Sequence, residues 1–345
     1  MEIYVIFILL IFLFLGNYKI GRNKKPFILS IFGILLIISL LALRFDIGAD
    51  YSQYYSNFLN DLNKDRIPKY EPVNLIIFLL LSPFNSPQLI IAFYGLITII
   101  LICVGINNNT KNFFLGIITY VCLFYIQSFS ILRQSLALAI VLCSYKSLVN
   151  KKFFKFYIIC SIAVLAHYSA LISFLFPIIY LTKPRFLFFI ISISFIFSYI
   201  GMNYIEKIPF LSKYAIYFTI INEGGGNIKK YFFWLIIIFL WIYIFVTKKD
   251  YPQILILITT GACLPLILGG HVGGRIAMYF YIFLCIAVPN IFYKTKQTIK
   301  IGYIVFITFF FLSFIYNATD SGGDSKAFVP YQTFFNQNLE NPIFK

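Results

Sequence analysis

The chain has 345 residues, of which 61% are apolar, 20% aromatic and only 12% charged, and it carries a formal net charge of +16. Soluble domains hold roughly 45–50% apolar and about 25% charged residues, so a water-soluble fold of this size has nowhere to hide so much Ile, Leu and Phe. Its lysines fall singly or in small groups between apolar blocks rather than along one polar face. That pattern argues against nucleic acid and for membrane topology.

The first apolar segment, residues 2–16, opens with one acid, Glu2, and its basic cluster of Lys19, Arg22, Lys24 and Lys25 comes afterwards. A cleavable signal peptide carries its positive charge first, so the segment reads as a retained span. Further apolar blocks follow at residues 26–43, 87–106, 113–127, 132–149, 153–167, 168–182, 185–200, 231–247, 251–268, 275–293 and 300–316. Each approaches the length that a helix needs to cross a bilayer. The run 73–81 has about half that length and lies between Pro72 and Pro83, which predicts a re-entrant or interfacial helix.

Charge sets the orientation, because cytoplasmic loops collect Lys and Arg. With the N-terminus outside, the inner loops hold sixteen cations against one acid, Asp250, and the outer segments are nearly neutral. Counting 73–81 as a full span would instead place Lys146, Lys151, Lys152 and Lys155 outside. The expected fold is all-α: one integral membrane domain over residues 1–345, a polytopic transmembrane bundle of about 12 spans with both termini outside. Its outer polar segments are residues 44–72, 201–230 and 317–345.

Charged groups at span ends or inside bundles cost free energy, up to about 2.5–3.5 kcal/mol at a helix centre, so each asks for a reason. The stretch L-R-F-D-I-G-A-D-Y places Arg44, Asp46, Asp50 and Tyr51 after the second span; if helical, it would put Asp46 and Asp50 on one face at i, i+4, as carboxylates that steer a proton or hold a cation or as a surface ion pair capping a helix. In S-F-S-I-L-R-Q-S-L-A, Arg133 and Gln134 interrupt an apolar run, as a cleft residue or as an arginine snorkelling to headgroups. In L-A-H-Y-S-A-L, His167 occupies a tight turn between spans, as a packing residue or a proton acceptor. In G-G-H-V-G-G-R-I-A-M-Y, glycines surround His271 and precede Arg275 and Tyr279, as a flexible turn or as a place where backbone approaches a ligand closely.

Cys103, Cys122, Cys143, Cys160, Cys263 and Cys285 lie inside apolar blocks without C-x-x-C or Cys/His spacing and read as packed thiols. No phosphate loop, dinucleotide fingerprint, zinc motif or nucleophile elbow occurs, and Asp320 with Asp324 is too little for calcium. Neither metal nor cofactor is assigned.

Taken in order, R-F-D-I-G-A-D-Y, L-R-Q-S-L-A-L-A-I, A-H-Y-S-A-L-I, G-R-I-A-M-Y-F and V-P-Y-Q-T-F-F resemble the EpsG-like branch of the Wzy polysaccharide polymerases over nearly the whole chain. The resemblance implies a bacterial inner- or plasma-membrane glycosyltransferase that joins undecaprenyl-pyrophosphate-linked oligosaccharide repeat units on the outer face. It implies capsule, O-antigen or exopolysaccharide as product, and flippase and chain-length regulator proteins as partners. Its pattern is carried onto Arg44, Asp46, Asp50, Tyr51, Arg133, Gln134, His167, Ser169, Arg275 and Tyr279, with His271 beside a matched motif. The chain departs from many such polymerases in lacking a large cationic outer loop, since residues 201–230 are few and only mildly basic.

On that reading, Arg133, Arg275 and Arg44 stabilise the leaving pyrophosphate, because guanidinium forks match phosphate. His167 is the first choice as base, followed by Asp50 and Asp46, with Tyr51, Gln134, Ser169, His271 and Tyr279 binding substrate. A single displacement that inverts the anomeric centre, without metal, is expected. A flippase or transporter of lipid-linked sugar predicts polar groups at midplane and internal repeats. A glycan acyltransferase predicts a cytoplasmic acyl-donor site, and a scaffold subunit predicts no convergence of the polar motifs.

Overall fold

The computed structural model describes residues 2–16, 25–64, 67–204, 226–247, 253–268, 270–293, 295–320 and 328–336. Among them the chain is helical, with no strand. The first part holds α1 (Glu2–Leu15), α2 (Lys25–Ala42), α3 (Tyr51–Leu62), α4 (Pro72–Leu81), α5 (Pro87–Asn109), α6 (Phe113–Tyr120), α7 (Gln127–Ser130) and α8 (Leu132–Val149). Then come α9 (Phe153–Ala166), α10 (Phe176–Tyr180), α11 (Arg185–Tyr204), α12 (Gly226–Val246), α13 (Gln253–Leu268), α14 (Gly270–Tyr281), α15 (Leu284–Ile291) and α16 (Gln297–Asp320).

Local chemistry sets the breaks. Pro72 and Pro87 each stand in the first turn, where a missing N–H costs nothing. The Ser86 hydroxyl accepts from the Leu89 N–H to start α5, and the Asn112 side-chain Oδ1 accepts from the Leu115 N–H to start α6. Between these caps the apolar blocks are free to run as helices.

Among the described residues, α5 and α8 are long and apolar enough to cross a membrane, and α14 with α15 qualify together although bent by 41°. Shorter apolar helices of 10–17 residues accompany them. The expected short helix appears as α4, which packs on α5 and α9. Three expected spans are irregular. Residues 113–127 pass through a π-helix at Val121–Tyr125; 168–182 begin as a 3₁₀ helix at Tyr168–Leu175; and 275–293 break between α14 and α15.

Gly270, Gly273 and Gly274 stand in the first turns of α14 rather than in a flexible turn. A side chain on Gly273 would strike the Leu264 carbonyl oxygen at 2.5 Å, so this glycine serves the close approach of α14 to α13. Residues 205–225, in the expected outer loop 201–230, lie outside the described residues, as do residues 321–327 and 337–345 of the tail.

The end of α2 is built around Arg44, which is fully buried. Its Nε donates to the Ile47 carbonyl at 3.2 Å, one Nη donates to the Leu41 carbonyl, and the other reaches the Phe129 carbonyl at 3.2 Å. The guanidinium also lies over the rings of Phe129 and Tyr51, at 5.1 and 5.8 Å. Thr333 forms an isolated antiparallel bridge with Arg44, so the C-terminal stretch 328–334 closes the same end, with Tyr4 Oη donating to the Phe328 carbonyl at 2.7 Å.

Helix α5 fixes which groups share an end. Gln88, in its first turn, donates to the carbonyls of Ala42 and Arg44 at 2.9 and 3.0 Å. The carbonyl of its last residue, Asn109, accepts from Asn290, beside which Lys111 lies over the Tyr293 ring at 5.1 Å and Lys300 donates to the Tyr293 carbonyl at 3.2 Å. Lys111 and Lys300, both expected in inner loops, therefore lie at the end opposite Arg44.

The turn after Arg44 tests the packing directly. Gly48 has φ +111°, and a Cβ there would stand 2.2 Å from the Phe129 carbonyl oxygen. Gly48→Ala should cost about 1–3 kcal/mol through strain alone and lower the melting temperature of the purified protein by several degrees; an unchanged melt would show that the loop does not hold this conformation.

Candidate active site

Glu71, the residue before α4, is the hub of the polar cluster and only 9% exposed. Its Oε2 accepts from Arg133 Nη1 at 2.6 Å and from Asn74 Nδ2 at 3.0 Å. Its Oε1 stands 3.4 Å from His167 Nδ1. Asn74 is held in turn, donating to the Ala166 carbonyl at 2.7 Å and accepting from Tyr94 Oη at 2.8 Å. The starts of α4 and α8, the body of α5 and the end of α9 are thereby tied at one carboxylate.

Asp50, Gln53, Tyr54, Asn57, Arg133, Gln134, His167 and Arg275 line a cleft of about 220 Å³ above this hub. Asp50 precedes α3, and Gln53 and Asn57, one helical turn apart, put that helix's polar face on the cleft. Arg275 Nη2 lies 3.9 Å from Asp50 Oδ2, and Gln134 Nε2 donates to the Arg275 carbonyl at 2.7 Å, joining α8 to α14. Arg133 lies over the Tyr54 ring at 5.7 Å.

The electrostatics separate the two sides. Burial pushes the Glu71 carboxyl upward, but its own backbone N–H, Arg133 and Asn74 outweigh that and hold it below the usual carboxylate range. Burial depresses His167 below the usual imidazole value; Glu71 opposes this, and Arg133 and Arg275 reinforce it. The imidazole is therefore neutral near pH 7 and able to accept a proton.

Residues 27–333 match the EpsG family. The chain belongs to the EpsG family. The match runs from α2 to Thr333, the residue that bridges Arg44. No curated protein and no solved structure matches. EpsG membership suggests a polymerase of polysaccharide biosynthesis, and with the apolar helices it marks a membrane protein.

Of the residues expected from sequence in this EpsG chain, Asp50, Arg133, Gln134, His167 and Arg275 come together. Arg44 does not join them: it is buried and spends its N–H groups on main-chain carbonyls, which makes it framework. Asp46 and Asp50 share no helical face, because Asp46 takes a left-handed turn at φ +49° and stays exposed away from the cleft. Tyr51 is buried with its hydroxyl on Gln88 Oε1 at 2.5 Å, and Tyr279 is buried with its hydroxyl 3.0 Å from Ser169 Oγ, so these three brace elements next to the site. The His271 side chain lies outside the described residues.

Sequence reasoning missed Glu71, Asn74, Gln53, Tyr54 and Asn57. A signal existed for Glu71: an acid directly before a proline that opens a short apolar helix stands at a helix N-terminus, where a buried carboxylate is favoured.

Both depressed groups act on stability with one sign. Between the folded pKa of His167 and about 6.5 the unfolded chain binds more protons, and the same holds for Glu71 below its ordinary value, so stability falls as pH drops through each window. Melting temperatures from about pH 8 to 5 should decline below about pH 6.5, and His167→Gln should flatten that first decline; equal slopes for the two proteins would contradict a depressed His167.

Proposed function

We propose that this EpsG-family protein is a polysaccharide polymerase of the bacterial plasma membrane. On this reading it works on the outer face, transferring a growing glycan from its undecaprenyl pyrophosphate carrier to an incoming lipid-linked repeat unit. The observation that carries the reading is the convergence on one cleft of an imidazole, two guanidinium groups and a carboxylate from four separate stretches of chain. The cleft is smaller than the roughly 300–1,000 Å³ of drug-sized sites, which suits the reacting ends of two chains rather than a whole repeat unit.

The chemistry follows from the groups present. The acceptor hydroxyl attacks C1 of the donor sugar as His167 takes its proton; the bond from C1 to the pyrophosphate oxygen breaks, and its electron pair leaves on the lipid pyrophosphate. Arg275, with the N–H groups of Arg133 that Glu71 does not use, meets the charge that develops there. Asp50 holds Arg275 until the pyrophosphate takes its place, and a single displacement inverts the anomeric centre. Gln53, Asn57 and Gln134 offer amide donors and acceptors suited to sugar hydroxyls.

Reconstitution with a synthetic lipid-pyrophosphate repeat unit tests the proposal. The expected product is a ladder of glycans; movement of intact lipid across the bilayer without a ladder would favour a flippase. His167→Ala should cut the rate about 10² to 10⁴-fold and Arg275→Gln should also lower kcat, whereas Asp46→Asn should leave the ladder nearly unchanged. Normal ladders from the His167 and Arg275 variants at equal expression would remove this assignment.

A further inference from the structure

Glu71 does not line the cleft, yet it touches the two cleft residues on which the chemistry turns. Its two oxygens are not equivalent. Oε2 faces two groups that can only donate, the Arg133 guanidinium and the Asn74 amide nitrogen. Asn74 cannot turn its amide over freely, because the same nitrogen donates to the Ala166 carbonyl while its oxygen accepts from Tyr94. Oε1 is the oxygen that faces His167 Nδ1.

We infer that Glu71 is a positioning residue that sets the tautomer of His167, keeping the proton on Nδ1 and leaving Nε2 as the base that faces substrate. An ionised carboxylate only accepts, so the neutral imidazole lowers its energy by carrying its proton on the nitrogen nearest Glu71. When Nε2 takes the acceptor's proton, the resulting imidazolium lies against the same carboxylate, the logic by which an aspartate supports histidine in a Ser-His-Asp site. Arg133 locks Glu71 in place and keeps it ionised. The other groups around His167 are the cations Arg133 and Arg275 and, across the cleft, Asp50 and the phenol of Tyr54. None of these makes a hydrogen bond to Nδ1 in the structure.

The asymmetry makes Glu71→Gln informative. The glutamine oxygen must stay toward Arg133 and Asn74, since both only donate there. Its NH2 group then faces Nδ1, which has to accept, and the proton moves to Nε2. The variant keeps the shape and the Arg133 contact while presenting the wrong tautomer.

The role rests on the reading of His167 as base, but its test does not need turnover. The chain has two histidines, so protein labelled with ¹⁵N-histidine and held in nanodiscs gives a simple spectrum, in which a His271→Gln companion identifies the His167 signals. The wild type should show the Nδ1–H tautomer near neutral pH, and Glu71→Gln the Nε2–H tautomer in a protein that still folds but melts lower, having lost the ion pair with Arg133. In the ladder assay kcat of that variant should fall about 10² to 10⁴-fold with KM little changed, and the low-pH limb of the rate profile that reports His167 should disappear.

An Nε2–H tautomer in the wild type overturns the proposal without any variant, as does a Glu71→Gln protein with the wild-type tautomer. An Nδ1–H wild type that builds no ladder keeps the role of Glu71 and removes the polymerase reading. A ladder made by a protein with the Nε2–H tautomer does the reverse.

Discussion

A guanidinium that has no ion-pair partner among the described residues organises the working end of this bundle. Arg44 is removed from water and satisfied by carbonyls of α2, of its own loop and of α7. Helix C-termini carry partial negative charge and unsatisfied carbonyls, so a cation placed among them meets two needs at once. Burial lowers its pKa to about 10, which still leaves it charged at neutral pH. The consequence reaches the cleft by a short route. The Phe129 carbonyl that holds Arg44 lies one residue before Ser130, whose hydroxyl accepts from the Ala49 N–H at 3.0 Å. Ala49 delivers Asp50 and the start of α3, while Ser130 leads through Ile131 into α8 and Arg133.

This arrangement explains why R-F-D-I-G-A-D-Y is a single motif with divided labour. Arg44, Phe45, Ile47, Gly48 and Tyr51 are buried; Asp46 and Ala49 face out; only Asp50 lines the cleft. A reader of the sequence sees two aspartates beside an arginine and pairs them as chemistry. The fold instead spends the arginine on the backbone and turns one aspartate away through a left-handed residue. Motif residues are held in place for several reasons, and adjacency along the chain does not distinguish framework from cleft.

The helical blocks were legible because composition and length report burial in lipid directly, and nearly every expected span has a helix at its place. Irregular turns were not, since π and 3₁₀ geometry at 121–125 and 168–175 depends on tertiary partners rather than on apolar content. His167, Arg133 and Arg275 stood out as charges that interrupt apolar runs. Glu71 did not, because it sits in an ordinary polar loop and acquires its meaning only when α4 brings it under residues 62 and 96 positions away. Gln53 and Asn57 escaped for a related reason: amides on an amphipathic helix look like a solvated face until another helix is placed opposite them.

The two cleft arginines are paired so differently that their tasks must differ. Arg133 is bound at 2.6 Å to a carboxylate that is 9% exposed, and pulling it away would leave that carboxylate buried without its cation, a large penalty. Arg275 is 47% exposed and 3.9 Å from an Asp50 that is 32% exposed, a contact of the kind worth at most about 1 kcal/mol. An incoming anion therefore displaces Asp50 from Arg275 at small cost and leaves Arg133 with Glu71. On the proposed reading Arg275 is the group that turns fully to the pyrophosphate, while Arg133 offers it only the N–H groups that Glu71 leaves and keeps the carboxylate beside His167 ionised and in register.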